Sequence, residues 1–293
     1  MDYASTHPSD LDGLRREVDR IDAGLVDLLG ERLRVVAGIA AVKRRTAAGD
    51  GGGGLALRPA REAAILRRLV ARADGRFPKA TLVRMWRELL GATTQAQSPF
   101  AVCVHVPAHQ PELWDVARDH FGSGTPLRRA DSPGHALRQL ASGSVQIAVL
   151  PLPAETDRWW PGLMNGPPAA GARVVARLPF ADVAAYPDDV GGLAIATLPQ
   201  EACGDDVTLV AIEADGTLSR GRLRELLAPL EPRWLACHDD GAAAVVRHLV
   251  ELAGFLDVGD SRLGSALAPV RDRLLRVVPL GCYPRPLTTA ELA

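Results

Sequence analysis

The 293-residue chain is poor in cysteine, with only Cys103, Cys203, Cys237 and Cys282. None forms a CxxC pair and none joins histidines at zinc-ligand spacing, so no metal site is expected. In a chain this long they read as buried free thiols rather than a disulfide framework. No run of about 18 uninterrupted apolar residues exists, so no membrane-spanning helix is expected. The opening MDYASTHPSD has no charged start and no apolar core. It does not read as a signal peptide, and a cytoplasmic protein is expected. Net charge is almost absent at −1, from 34 Lys and Arg against 35 Asp and Glu. The global basicity that would invite nucleic acid is therefore missing. GxSxG, a P-loop and GxGxxG after a strand are missing too.

What remains is an ordinary globular composition, 47% hydrophobic and 24% charged. The length suggests about two domains at roughly 150 residues each. Charge is unevenly placed. Residues 1–99 carry 17 Lys and Arg against 12 Asp and Glu, and the rest 17 against 23. A basic first third without a lysine-rich tail suits a small anionic ligand.

Residues 11–45 carry one long helical seam: Leu14, Val18, Ile21, Leu25, Leu28, Val35, Ile39 and Val42. The steps of three and four define one face. Ser9 or Asp10 can cap its start. At about 1.5 Å per residue the helix is roughly 50 Å long, which a partner chain is best placed to cover. AAGDGGGG, ending at Gly54, breaks it. Pro59 suits the first turn of a second helix over 59–73, with Ile65, Leu66, Leu69 and Val70 apolar. A third helix over 79–97 places Leu82, Met85, Trp86, Leu89 and Leu90 on one side. From Phe100 onward strands and helices alternate, the pattern of α/β layers. FAVCVHV, SVQIAVLPLP, ARVVARLPF, GLAIATL and VTLVAIEA read as strands. WDVARDHF, HALRQLASG, RLRELLAPL and LAPVRDRLL read as helices, before a final VVPLGCYP.

Polar residues interrupt the apolar stripes. Arg32 falls in the first seam, and an unpaired buried guanidinium is costly because it cannot shed its proton. Lys43 lies eleven residues on, about 20° around the helix and about 16 Å along it. The two share a face with room for a small ligand between them. Arg61 and Glu62 open the second helix, with Glu62 in line with Ile65, Leu66 and Leu69. Thr93 and Gln97 extend the third helix's row. Each has a plainer reading: Arg32 snorkelling or paired with Glu62, Lys43 solvated, the others surface residues near helix ends. Arg15, seventeen residues before Arg32, is some 25 Å away along the same rod. It reaches such a site only from a second chain.

LDGLRREVDRIDAGLVDLLGERLRVVAGIAAVKRR, RPAREAAILRRL and MWRELLGATTQAQ together resemble the all-α chorismate mutase family. The resemblance covers 10–98 and implies an intertwined three-helix homodimer with two sites. It implies rearrangement of chorismate to prephenate without a cofactor. It assigns substrate carboxylates to Arg32 and to Arg15 of the other subunit. Lys43 would contact the ether oxygen and a carboxylate, and Gln97 would donate to the same oxygen. Glu62 would accept from the ring hydroxyl, Arg61 would belong to the electrostatic shell, and Thr93 takes a position often held by serine. A pericyclic reaction needs no nucleophile and no proton transfer. It needs a folded dianion and preorganised donors where the C–O bond breaks, and arginine forks suit carboxylates. Two departures bear on substrate closure: Arg58 stands where relatives are often acidic, and the preceding loop is glycine-rich.

Residues 100–293 resemble, less closely, the prephenate dehydratase and ACT portions of the bifunctional mutase–dehydratase. The implied organisation is an all-α domain over 10–98, a degenerate dehydratase-like α/β region over 100–204 and an ACT-like βαβ module over 205–287. The family's Pro-Ile-Glu-Asn becomes Pro151-Leu152-Pro153, and Thr-Arg-Phe is absent, the nearest match being Thr208-Leu209-Val210. Gly-Ala-Leu becomes Gly216-Thr217-Leu218, and Glu-Ser-Arg-Pro is not recognisable near Cys237-His238-Asp239-Asp240. Dehydratase activity is therefore expected to be lost. His238-Asp239-Asp240 reads as a turn after a strand rather than a metal site. Three alternatives to a mutase stay open: an isochorismate–pyruvate lyase on the same helices, an intact bifunctional enzyme, and a non-catalytic regulatory protein.

Overall fold

Asp10 starts the first helix by accepting the Gly13 N–H on Oδ1 at 2.6 Å, which satisfies one of the donors a helix start leaves unpaired. In the computed structural model, residues 10–46, 55–154, 159–166, 171–181, 186–187, 190–240, 245–257 and 259–293 are described. The chain divides into two compact units that part after Gly54. In the first, α1 runs Leu11–Thr46 without a break. All eight residues of its expected seam are exposed in this single chain, Leu14 at 45% and Leu28 at 62% among them.

The second unit opens with α2, Pro59–Arg72, whose proline sits at the first helical position. It continues with α3, Lys79–Gln97. The buried face of α3 is Val83, Arg87, Leu90, Gly91, Thr93 and Thr94. That corrects the expected row, since Met85 is 52% exposed. Ala63, Leu66, Val70, Val83 and Leu90 pack on Phe180, Ala181 and Leu287.

The α/β portion is one nine-stranded sheet in the order β2-β1-β3-β5-β4-β9-β6-β8-β7. Its strands are β1 Val102–His105, β2 Leu127–Ala130, β3 Ile147–Pro151, β4 Ala172–Leu178, β5 Gly192–Thr197, β6 Asp206–Asp215, β7 Arg233–Asp240, β8 Val245–Ala253 and β9 Leu274–Pro284. Helices α4, Leu113–Phe121, and α5, Pro133–Ala141, belong to the β1–β3 half, and a single turn, α6, Pro161–Met164, precedes β4. β1 lies parallel to β2 and β3. Side chains alternate across the sheet: Val102 and Val104 join Val116 and Phe121 of α4, while Cys103 joins Ala136 and Leu140 of α5. Every residue of β3 is buried, as expected for a strand covered on both faces.

The other half runs β6, α7 (Arg220–Leu227), β7, β8, α8 (Ser261–Leu267), β9. Its strand order of β9-β6-β8-β7 is that of a split βαβ, or ferredoxin-like, unit. Both helices cover one face, Leu223 and Leu227 meeting Val210, Ile212 and Leu263. The halves join where Val174 of β4 pairs with Gly281 of β9. A Cβ at Gly281, where φ is +152°, would overlap the Val174 backbone, so the seam of the sheet requires glycine there. Two local expectations are corrected. Asp239 and Asp240 pair with Val246 and Val245 in the β7–β8 ladder rather than turning. Residues Ala268–Arg273 form a 3-10 segment, and Leu274 and Leu275 belong to β9.

Candidate active site

The first unit supplies three of the expected cations. Arg32 is half-buried, and its Nη1 is buried with no hydrogen-bond partner. Burial holds its guanidinium below the usual arginine value, because desolvation penalises the charged form. Arg15 is exposed and pairs with Asp12 at 3.2 Å, one turn back. Such a pair on a helix surface contributes little. Lys43 lies within α1, but its side chain falls outside the described residues.

In the second unit the expected residues separate into three groups. Arg58 precedes α2 and makes a fork with Glu201, Nη2 to Oε1 at 2.9 Å and Nε to Oε2 at 3.2 Å. Arg61 is exposed in the first turn of α2. Glu62, next along the chain, is 8% exposed. Its Oε2 accepts from Arg87 Nη1 at 2.9 Å. The Arg87 guanidinium also lies 4.8 Å from the centre of the Phe180 ring, a cation–π arrangement. Burial raises the Glu62 carboxyl while Arg87 opposes that rise, and burial likewise lowers Arg87. Since arginine keeps its proton in proteins, Arg87 meets Glu62 as a cation and favours its ionised form.

At the end of α3, Thr93 is buried and donates its hydroxyl to Leu89 O at 2.8 Å and Leu90 O at 3.1 Å. Gln97 donates from Nε2 to Thr93 O at 3.0 Å. Thr93 and Gln97 therefore meet, and the Glu62 carboxyl meets Arg87 and the Arg58 backbone, while the Arg58 side chain turns to Glu201. Arg87 was missed by sequence reasoning. Its signal is present, though: it stands in the row Val83, Arg87, Leu90, Thr94 that this helix buries. His120, with Nδ1 buried and unpartnered, lies close enough to Arg87 to be pushed further below the ordinary histidine value after burial itself. Among the described residues no group of His, Cys, Asp and Glu could hold a metal, and no helix is long and apolar enough to cross a membrane.

Residues 14–98 match the family model for chorismate mutase type II. A bifunctional chorismate mutase/prephenate dehydratase of Pseudomonas aeruginosa is 29% identical over 150 residues, 50% of this chain and 40% of that protein. That stretch is longer than the helical segment and reaches into the α/β portion. The chain matches about two fifths of the length of that relative. Among solved structures, a quorum-quenching acylase, GqqA, aligns at TM-score 0.46 with 13% identity, over 63% of this chain and 94% of its own. A prephenate dehydratase from Arthrobacter aurescens, in complex with L-Phe, aligns at 0.43 with 11% identity, over 63% and 90%. Likenesses this distant decide nothing about function.

Proposed function

We propose that the chain is a chorismate mutase that converts chorismate to prephenate in aromatic amino acid biosynthesis, acting as a cytoplasmic homodimer without a cofactor. The observation that carries this reading is the match of residues 14–98 to the type II mutase model. The unpartnered buried Nη1 of Arg32 supports it, since a buried unpaired donor is costly unless a ligand completes it. In this reading Arg32 and the partner's Arg15 grip the carboxylates. Lys43 and Gln97 stabilise charge at the breaking C–O bond, and Glu62 receives the ring hydroxyl. Arg58, Arg61 and Thr93 shape the surrounding field. The exposed apolar seam of α1 is covered by the second copy, which brings Arg15 to its neighbour's site. The proposed organisation is a mutase domain over 10–98, a degenerate dehydratase-like region over 100–204 and an ACT-like module over 205–287.

The test follows chorismate and isochorismate separately in the presence of purified protein. Loss of chorismate with formation of prephenate supports the mutase. Pyruvate release from isochorismate alone would establish the lyase instead. Absence of both would leave a non-catalytic protein, and phenylpyruvate formed from prephenate would restore the dehydratase that the missing Thr-Arg-Phe argues against.

A further inference from the structure

Four polar side chains from four strands meet in a cavity of about 350 Å³ within the α/β portion. Arg177 comes from β4, Arg233 from β7, Glu251 from β8 and Tyr283 from β9. The site therefore exists only because the two halves of the sheet are joined through the β4–β9 pairing. Glu251 is 6% exposed. It accepts from Arg177 Nη1 at 2.6 Å, from Arg233 Nε at 3.0 Å and from the Tyr283 hydroxyl. Burial keeps that phenol protonated and donating. One carboxylate between two guanidiniums leaves one positive charge unmatched. Arg285, also lining the cavity, shares Asp205 with Arg67, at 3.0 and 2.9 Å. Glu231 lines it too and is exposed, as Arg233 is, so four guanidiniums in and beside the cavity face three carboxylates and a single positive charge remains. The remaining wall is apolar, with Leu152, Val190, Val207 and Leu287.

We propose that this cavity binds a small organic monocarboxylate with an apolar body, its carboxylate bridging Arg177 and Arg233 beside Glu251. A guanidinium fork matches a carboxylate, and an apolar wall with a few convergent polar groups is the usual form of a small-molecule site. The single surplus positive charge selects a monoanion over a phosphate ester, whose second charge would go unanswered. The site owes nothing to the helical residues assigned to chorismate, so it stands or falls apart from the mutase reading.

The experiment titrates the full chain calorimetrically at low salt with 4-phenylbutanoate and, in parallel, with neutral 4-phenylbutanamide. Saturable binding of the acid and none of the amide is expected. Arg233→Gln, at a side chain 57% exposed and so tolerable to the fold, should weaken the acid at least ten-fold. Glu251→Gln removes the internal competitor and should tighten it. Equal binding of acid and amide, no saturable heat with the acid, or an unchanged affinity in Arg233→Gln would overturn the proposal.

Discussion

Replacing Arg87 by methionine keeps an apolar stem in place and removes the charge that answers Glu62. Both side chains are nearly inaccessible, Arg87 at 6% and Glu62 at 8%, so solvent cannot take over as counterion. Breaking a buried pair from one side costs about 3–5 kcal/mol, and the lost contact with Phe180 adds about 1 kcal/mol. Protonation of Glu62 gives partial relief. Burial already raises its carboxyl and Arg87 opposes the rise, so the substitution lifts it further. An acid whose pKa is higher folded than unfolded stabilises the fold below the unfolded value, about 4.3. It loses that contribution as pH rises through the folded value. Arg87→Met should therefore cost about 3 kcal/mol or more at pH 8 and visibly less at pH 5, in urea unfolding followed by circular dichroism. The double variant Glu62→Gln/Arg87→Met, with no buried charge left, should recover most of the loss. A loss below about 1 kcal/mol at pH 8, a loss equal at both pH values, or additive single and double variants would refute the ion-pair account.

Arg32→Met should lower kcat on chorismate by about 10²–10³-fold while the thermal midpoint holds or rises, because an unpartnered buried nitrogen disappears. A fallen midpoint with the rate retained would make Arg32 structural. Equal mixing and refolding of Arg15→Ala with Arg32→Ala should restore about a quarter of wild-type activity, one complete site per heterodimer. No recovery would place Arg15 outside a shared site. Ile21→Glu, in the exposed seam of α1, should shift sedimentation to that of a monomer and abolish the mutase rate. A wild-type chain that is already monomeric at tens of micromolar would contradict the covered seam.

Much of the helical part was legible because its signals are local. Asp10 as cap, Pro59 as first-turn proline and the three- and four-residue steps of α1 need no distant partner. The face of α3 was read one residue off for a long-range reason. A pattern search places arginine outward, yet Arg87 is buried because Glu62, 25 residues earlier, neutralises it. Edge strand β2, Leu-Arg-Arg-Ala, is half polar and exposed at Arg128 and Arg129, so alternation does not announce it. α8 has only seven residues behind an Asp260 cap, too short for a periodic signal. Leu274 and Leu275 continue a helical-looking LAPVRDRLL, but Leu274 finds Ala214 in β6, and sheet pairing overrides local propensity. Of the expected site residues, the sequence placed all but Arg58, which precedes α2, on their helices. It could not show which side chains meet, since Arg58 turns to Glu201 and Glu62 to Arg87 through long-range contacts that spacing does not encode.

In the proposed mutase reading, the Glu62–Arg87 pair also bears on how the carboxylate serves catalysis. A carboxylate has about four lone-pair positions, and Arg87 takes one of them on Oε2. Pairing therefore leaves capacity to accept a ring hydroxyl, and it favours the ionised form of Glu62 that acceptance requires. Without Arg87, Glu62 would bind a proton at higher pH and become a donor where an acceptor is needed. The acid limb of the mutase pH–rate profile should then move to higher pH in Arg87→Met and return toward wild type in Arg87→Lys, which restores charge without the guanidinium shape. In that reading Arg87 is a positioning residue, and a general loss of stability would lower the rate at every pH without moving the limb. An unmoved limb in Arg87→Met, alongside the stability loss expected at pH 8, would mean that Glu62 holds the helices together and does not receive the substrate.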